Sequence, residues 1–337
     1  MIEELTDDPK KTAKEALLSN LALAIAKLIA ALLTGSIGLM AETIHSFSDS
    51  INQVLILIGI KKSKRPADHN HPFGYGKERF LYPFLVATLL FSVSGIFSAQ
   101  FGFFPILRNS YEPVRNVEVG YVVLLAAVII EGKSLWTALS SIKKTLRQRQ
   151  KKVTMKAMLK EFKEHKEPIA MTVLTEDSIA VFAAAVTAFG IYLSKTSGHG
   201  IYDAASAVIV GGSLMGFAFF LAREFKDLLI GMAISKQELE NMIRNIKEIP
   251  EVEKVITIKT MHLSTDDILI TADLVLAEEL DKEEIMTITQ KIENKIKHIV
   301  PYADKSKIYV KFIGNSISQD NLREYKNKTA RNQADLI

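Results

Sequence analysis

A histidine stands four residues before an aspartate in the middle of an otherwise apolar run. These are His45 and Asp49 of AETIHSFSDS, flanked by LLSNLALAIAKLIAALL and INQVLILIGI. Residues four apart share one helical face. An imidazole beside a carboxylate there can form a structural hydrogen-bonded pair or offer two ligands to a divalent cation. A second acidic pair, Glu176 and Asp177 of VLTEDSIAV, interrupts another apolar run. A third group, Asp68, His69 and His71, falls in a polar segment, RPADHNHPFGYGKERF. The chain has no cysteine, so nitrogen and oxygen must hold any metal and no disulfide forms. No H-E-x-x-H motif accompanies these groups, and a metal hydrolase is not expected. The chain reads as a non-enzyme with no organic cofactor.

The elements that carry these groups are membrane helices. A hydrocarbon core needs about 20 apolar residues per helix, and six stretches qualify: residues 15–34, 37–60, 80–104, 118–141, 169–193 and 203–223. The net charge of +4 conceals a segregation, with long apolar runs up to about residue 230 and a Lys- and Glu-rich character beyond. No basic leader with an A-x-A site is evident, so no cleavable signal peptide is expected. Lys61, Lys62, Lys64, Arg65, Lys77 and Arg79 lie between the second and third spans, and ten Lys or Arg lie between residues 143 and 166. The alternate loops are poor in both. Lys and Arg excess marks the cytoplasmic side, which puts both termini in the cytoplasm and the protein in the cell membrane.

An Asp at the centre of a spanning helix costs about 2.5–3.5 kcal/mol on insertion scales, so it should face a partner or water. From that topology Asp49 lies roughly 16 Å, and Asp177 roughly 14 Å, from the cytoplasmic face of a core about 30 Å thick. One imidazole and two or three carboxylates at one depth can make a four-ligand site for a divalent cation. A purely structural hydrogen-bond network is the competing reading. Glu131, Lys133 and Lys27 are expected to form ion pairs or snorkel. Glu42 and Asp203 are expected near the outer ends of their spans.

Three domains are expected: a transmembrane domain over 1–230, a cytoplasmic domain over 231–314 and a mobile tail over 315–337. Helical periodicity over 235–249, strand patterns in VEKVITIKTMHL and DDILITADLVLA, a second helix capped by Asp281 and a closing strand in KSKIYVKFIG give the order α-β-β-α-β. That order suits a ferredoxin-like α+β domain.

The motifs GSIGLMAETIHSFSDS, RPADHNHPFGYGKERF, EDSIAVFAA, REFKDLLIG and MHLSTDDILITADL resemble the cation diffusion facilitator family, most of all its zinc-transporter-9-type branch. The resemblance covers nearly all of residues 10–313. It implies a homodimer that exports a divalent metal from the cytoplasm, usually Zn²⁺, in exchange for protons. His45 and Asp49 fall on the family's transport pair. The family's usual His-x3-Asp of span 5 fails here, because Val173 stands four before Asp177. Asp177, with Glu176 as competitor, is expected to complete the site. Such an oxygen-rich set admits Mn²⁺, Fe²⁺ or Co²⁺ beside Zn²⁺. Asp68, His69 and His71 could hold a second metal, although Tyr75 stands where many members have another His. Metal binding by the tail domain is not expected, and dimerisation by packing is. The resemblance also suggests that Lys77 pairs with Glu224 or Asp227 and locks protomers together. A membrane metal sensor that does not transport is the alternative function.

Overall fold

The computed structural model describes residues 9–148, 154, 168–276, 280–300 and 307–313. The expected tail over 315–337 and most of the basic run before residue 167 lie outside these. The chain divides into two compact units between Leu229 and Ile230.

The first unit is helical: α1 (Pro9–Thr34), α2 (Ile37–Ser63), α3 (Glu78–Leu85), a π-helical turn (Val86–Phe91), α4 (Ser92–Leu107), α5 (Val117–Gln148), α6 (Pro168–Ser197) and α7 (Ile201–Ile230). The third expected span is therefore three consecutive helical pieces, α3, the wide turn and α4. Among the described residues five segments are long and apolar enough to cross a membrane: Leu17–Thr34, Glu78–Leu107, Val117–Ser140, Leu174–Ser197 and Ile201–Ile230. The remaining expected span, α2, has the length, since its 27 residues rise about 40 Å. Its Glu42, His45, Asp49, Asn52 and serines make it too polar to pass on composition alone.

Packing accounts for that polarity. α2 lies against α1, α3, α4 and α6, so its polar residues face protein and not hydrocarbon. The neighbours turn apolar side chains outward instead, among them Ile29 and Leu32 of α1, Val122 and Ile129 of α5, and Phe189 of α6. Gly35, at φ +68, makes the left-handed step between α1 and α2 that a side chain would oppose. Where α4 crosses α7, a Cβ on Gly95 would lie 2.9 Å from the Gly211 carbonyl oxygen. Small residues let these backbones touch, as membrane helix pairs require.

The second unit carries the expected order: α8 (Lys236–Lys247), β1 (Val252–His262), β2 (Ile268–Leu276), α9 (Lys282–Ile299) and β3 (Lys307–Phe312). β2 is central, antiparallel to β1 with Thr260 opposite Ile270, and parallel to β3 with Ile270 opposite Ile308. Both helices open on capping boxes, Ser235 with Glu238 and Asp281 with Glu284. Met242, Ile246, Ile270, Leu274, Ile288 and Ile292 form the core.

Candidate functional site

α2 positions the main group, and its start is fixed from another helix. The Ser36 hydroxyl accepts from the Leu39 N–H and donates to Asp203 Oδ1 at 2.6 Å. The N–H of Ile37 donates to Asp203 Oδ2 at 2.6 Å, and that of Gly38 to Oδ1 at 3.3 Å. Asp203 of α7 thus places a carboxylate on the N-terminus of α2, where the helix dipole favours a negative charge. It is buried, not at a wet helix end as its sequence position suggested.

Two turns into α2, His45 Nδ1 lies 3.4 Å from Asp49 Oδ1. Both are buried. Their i,i+4 spacing brings them together as the helix period requires.

Beside them lies an ion cluster. Lys27 of α1 is fully buried and donates to Glu42 Oε2 at 2.8 Å, Ser46 Oγ at 2.9 Å and Glu131 Oε1 at 3.2 Å. The three protons of the ammonium match three acceptors. Of the two outcomes expected for these residues, ion pairing or snorkelling, Lys27 and Glu131 take the first with each other, whereas Lys133 is exposed. Glu42, five residues into α2, is 0% exposed and ion-paired, so its carboxylate faces protein and not water.

The acidic pair of α6 divides. Glu176 is buried, and its Oε1 has no hydrogen-bond partner among the described residues. Asp177 is only half-buried and accepts from Ser134 Oγ of α5 at 2.6 Å. Adjacent residues point about 100° apart, and here that rotation sends one carboxylate inward and the other toward α5. Among the described residues no three His, Asp or Glu side chains converge as a ready metal cage.

The polar segment forms a compact turn. Asp68 Oδ1 accepts from the His71 N–H at 2.8 Å, and Oδ2 accepts from the Tyr75 hydroxyl at 2.6 Å. His71 Nδ1 lies 3.6 Å from Asp68 Oδ1, its ring 4.2 Å from that of Tyr75, and His69 is exposed. The Tyr75 hydroxyl first, and the His71 backbone second, hold the Asp68 carboxyl below the usual range. A cation here would have to compete with both donors.

Lys77 Nζ donates to the Leu229 carbonyl at 3.0 Å, within one chain, while Asp227 pairs with Lys226. In the second unit, Asp267 binds Lys307 at 2.6 Å and His262 is buried. Sequence reasoning missed the cap by Asp203 and the inward face of Glu42. A helical wheel of α2 carries the signal for Glu42, since positions 42, 45, 46 and 49 fall on one side.

A family model described as the cation efflux transmembrane domain matches residues 14–230, and one described as the cation efflux protein cytoplasmic domain matches residues 234–307. Metal tolerance protein C4 of Arabidopsis thaliana is 32% identical over 209 residues, 62% of this chain and 44% of the plant protein. The mitochondrial proton-coupled zinc antiporter SLC30A9 of Homo sapiens is 24% identical over 273 residues, 79% of this chain and 47% of the human protein. The manganese efflux system protein MneP of Bacillus subtilis (strain 168) is 25% identical over 317 residues, 90% of this chain and 100% of that protein. The chain spans less than half the length of the first two relatives.

Proposed function

The chain belongs to the cation efflux family, and on that premise we propose that it carries a divalent metal cation out of the cytoplasm in exchange for protons. One observation carries the reading: His45 and Asp49 lie 3.4 Å apart and buried on the helix at the centre of the bundle. Glu176 or Asp177 on α6, which packs against α2, completes the ligand set. Glu176 is the better placed of the two, being buried with Oε1 unengaged among the described residues, whereas Asp177 accepts from Ser134. Imidazole must be neutral and carboxylates ionised before a cation binds, so metal and protons compete for the same groups. A carboxylate left ionised with neither would be costly in the membrane, which couples the two fluxes. Rocking of helix groups then exposes the site alternately to each side.

The metal is Zn²⁺ or Mn²⁺ in this reading, with Fe²⁺ and Co²⁺ as further candidates, because one imidazole among carboxylates suits both nitrogen- and oxygen-preferring ions. The names of the relatives, a zinc antiporter and a manganese efflux protein, point the same way. The protein acts as a homodimer joined by packing, in the cell membrane, with both termini in the cytoplasm. Asp68, His69 and His71 bind metal weakly at most, since both Asp68 oxygens are engaged.

Uptake into proteoliposomes under a pH gradient tests the proposal. Asp49→Ala and His45→Ala should each lower Zn²⁺ or Mn²⁺ flux at least tenfold, the effect of losing about 1.4 kcal/mol of binding. Full flux in both variants would refute the site. A protein that binds these ions without moving them would be a sensor.

A further inference from the structure

Asn52 is buried without explanation. It is 0% exposed, and neither its amide nitrogen nor its amide oxygen has a hydrogen-bond partner among the described residues. A carboxamide offers two donors and a carbonyl acceptor, and a fold rarely leaves such a group unanswered in its interior. Its neighbours on α2 solve the problem locally: Ser48 Oγ donates to the Ile44 carbonyl and Ser50 Oγ to that of Ser46. Asn52 makes no such bond to its own helix.

Its position is informative. Asn52 comes seven residues after His45, about 20° round the helix from it, and lies about 4.5 Å along the axis from Asp49. His45, Asp49, Asn52, Ile56 and Gly59 are all buried and form one stripe along α2. Toward the Lys61 end that stripe turns apolar at Ile56 and closes at Gly59, where a Cβ would lie 2.9 Å from Tyr82 Cβ. Asn52 is therefore the last buried polar residue on the face that carries the transport pair.

We propose that Asn52 is a further cation ligand, its amide oxygen forming with Asp49 an oxygen-lined station beside the His45–Asp49 pair on the side of the Lys61 end of α2. This rests on the transport reading above and adds a step to it. A divalent cation gives up part of its hydration shell at the station before it reaches the imidazole. The amide oxygen replaces a water ligand without adding charge, so it holds the ion without trapping it. Neutral oxygen ligands suit Mn²⁺ better than Zn²⁺, whereas the imidazole favours Zn²⁺. Asn52 thus tilts the site toward the oxygen-preferring ion.

The test uses the full-length purified protein with Mn²⁺ and Zn²⁺ as probes, measuring equilibrium binding by calorimetry and flux in proteoliposomes. Asn52→Leu should weaken Mn²⁺ binding about tenfold, as loss of one ligand-strength contact does, and Zn²⁺ binding less. The metal concentration for half-maximal flux should rise with it, more than the maximal rate falls. Asn52→Asp, nearly the same shape, should bind Mn²⁺ at least as tightly as the parent and release it more slowly. The inference is overturned if Asn52→Leu binds both ions as the parent does. It is also overturned if Asn52→Asp loses both ions equally, which marks a packing role. Flux unchanged in His45→Ala and Asp49→Ala would instead overturn the transport site. Flux lost in those two with Mn²⁺ binding intact in Asn52→Leu overturns only the role of Asn52.

Discussion

Lys27 holds two carboxylates that come from positions 15 and 104 residues away in the chain. Breaking a buried ion pair by removing one partner costs about 3–5 kcal/mol, because the other charge is left uncompensated. Lys27→Met should therefore lower the stability of the helical unit by about that amount in a thermal melt in detergent. Adding Glu42→Gln and Glu131→Gln should recover most of the loss. An unchanged melt for the single variant would show that the cluster holds nothing. That Lys27 would either meet an acid or snorkel was legible in the sequence, since an ammonium inside an apolar helix needs one or the other. The place of Glu42 was not, because one turn of helix rotation decides between bundle and surface. Asp68 gives a second test at this scale. A carboxyl held below its ordinary range contributes stability above that range and loses it as the pH falls through the folded value. Tyr75→Phe removes the main cause, so the Asp68 titration followed by NMR should move up toward the usual carboxylate range. No movement would mean that the hydroxyl does not bond there in solution.

At the scale of elements, α2 depends on a residue of α7. Three groups at its start, the Ser36 hydroxyl and the N–H of Ile37 and Gly38, donate to Asp203. Leaving such buried donors without an acceptor costs about 1–3 kcal/mol. Asp203→Ala should destabilise by that much, and Asp203→Asn by less, since the amide keeps one acceptor. Because the cap sets the start of α2, the alanine variant should also lower metal flux while leaving His45 and Asp49 in the chain. Equal melts and flux for both variants would show that α2 holds its place unaided. The helices themselves, and the order α-β-β-α-β, were legible because periodicity and caps such as Asp281 are local signals. The bond from Ser36 to Asp203 spans 167 residues and no local pattern encodes it. The wide turn at Val86–Phe91 escaped for a different reason: a π turn shifts hydrogen bonds by one residue and leaves composition unchanged.

Across the whole molecule, the two units differ in what holds them. The first buries charge and small residues among apolar helices, and the second closes a core of Met242, Ile246, Ile270, Leu274, Ile288 and Ile292 over a three-stranded sheet. Separate cores predict separate unfolding. The Asp281 carboxylate accepts from the N–H groups of Glu283 and Glu284, both at 2.8 Å, and Asp281→Ala removes this cap. Losing an N-cap costs about 1 kcal/mol, which shifts the midpoint of a domain of this size by about 4–8 °C. Calorimetry of the full chain in detergent should then show the transition of the second unit fall by that amount while that of the first stays. Added Zn²⁺ or Mn²⁺ should do the converse, raising the midpoint only of the unit that binds it, because a ligand stabilises the state that holds it. A metal-induced rise in the second transition alone would move the binding site off α2 and into the sheet domain, where His262 is the buried imidazole. Both transitions moving together in Asp281→Ala would mean that the units unfold as one.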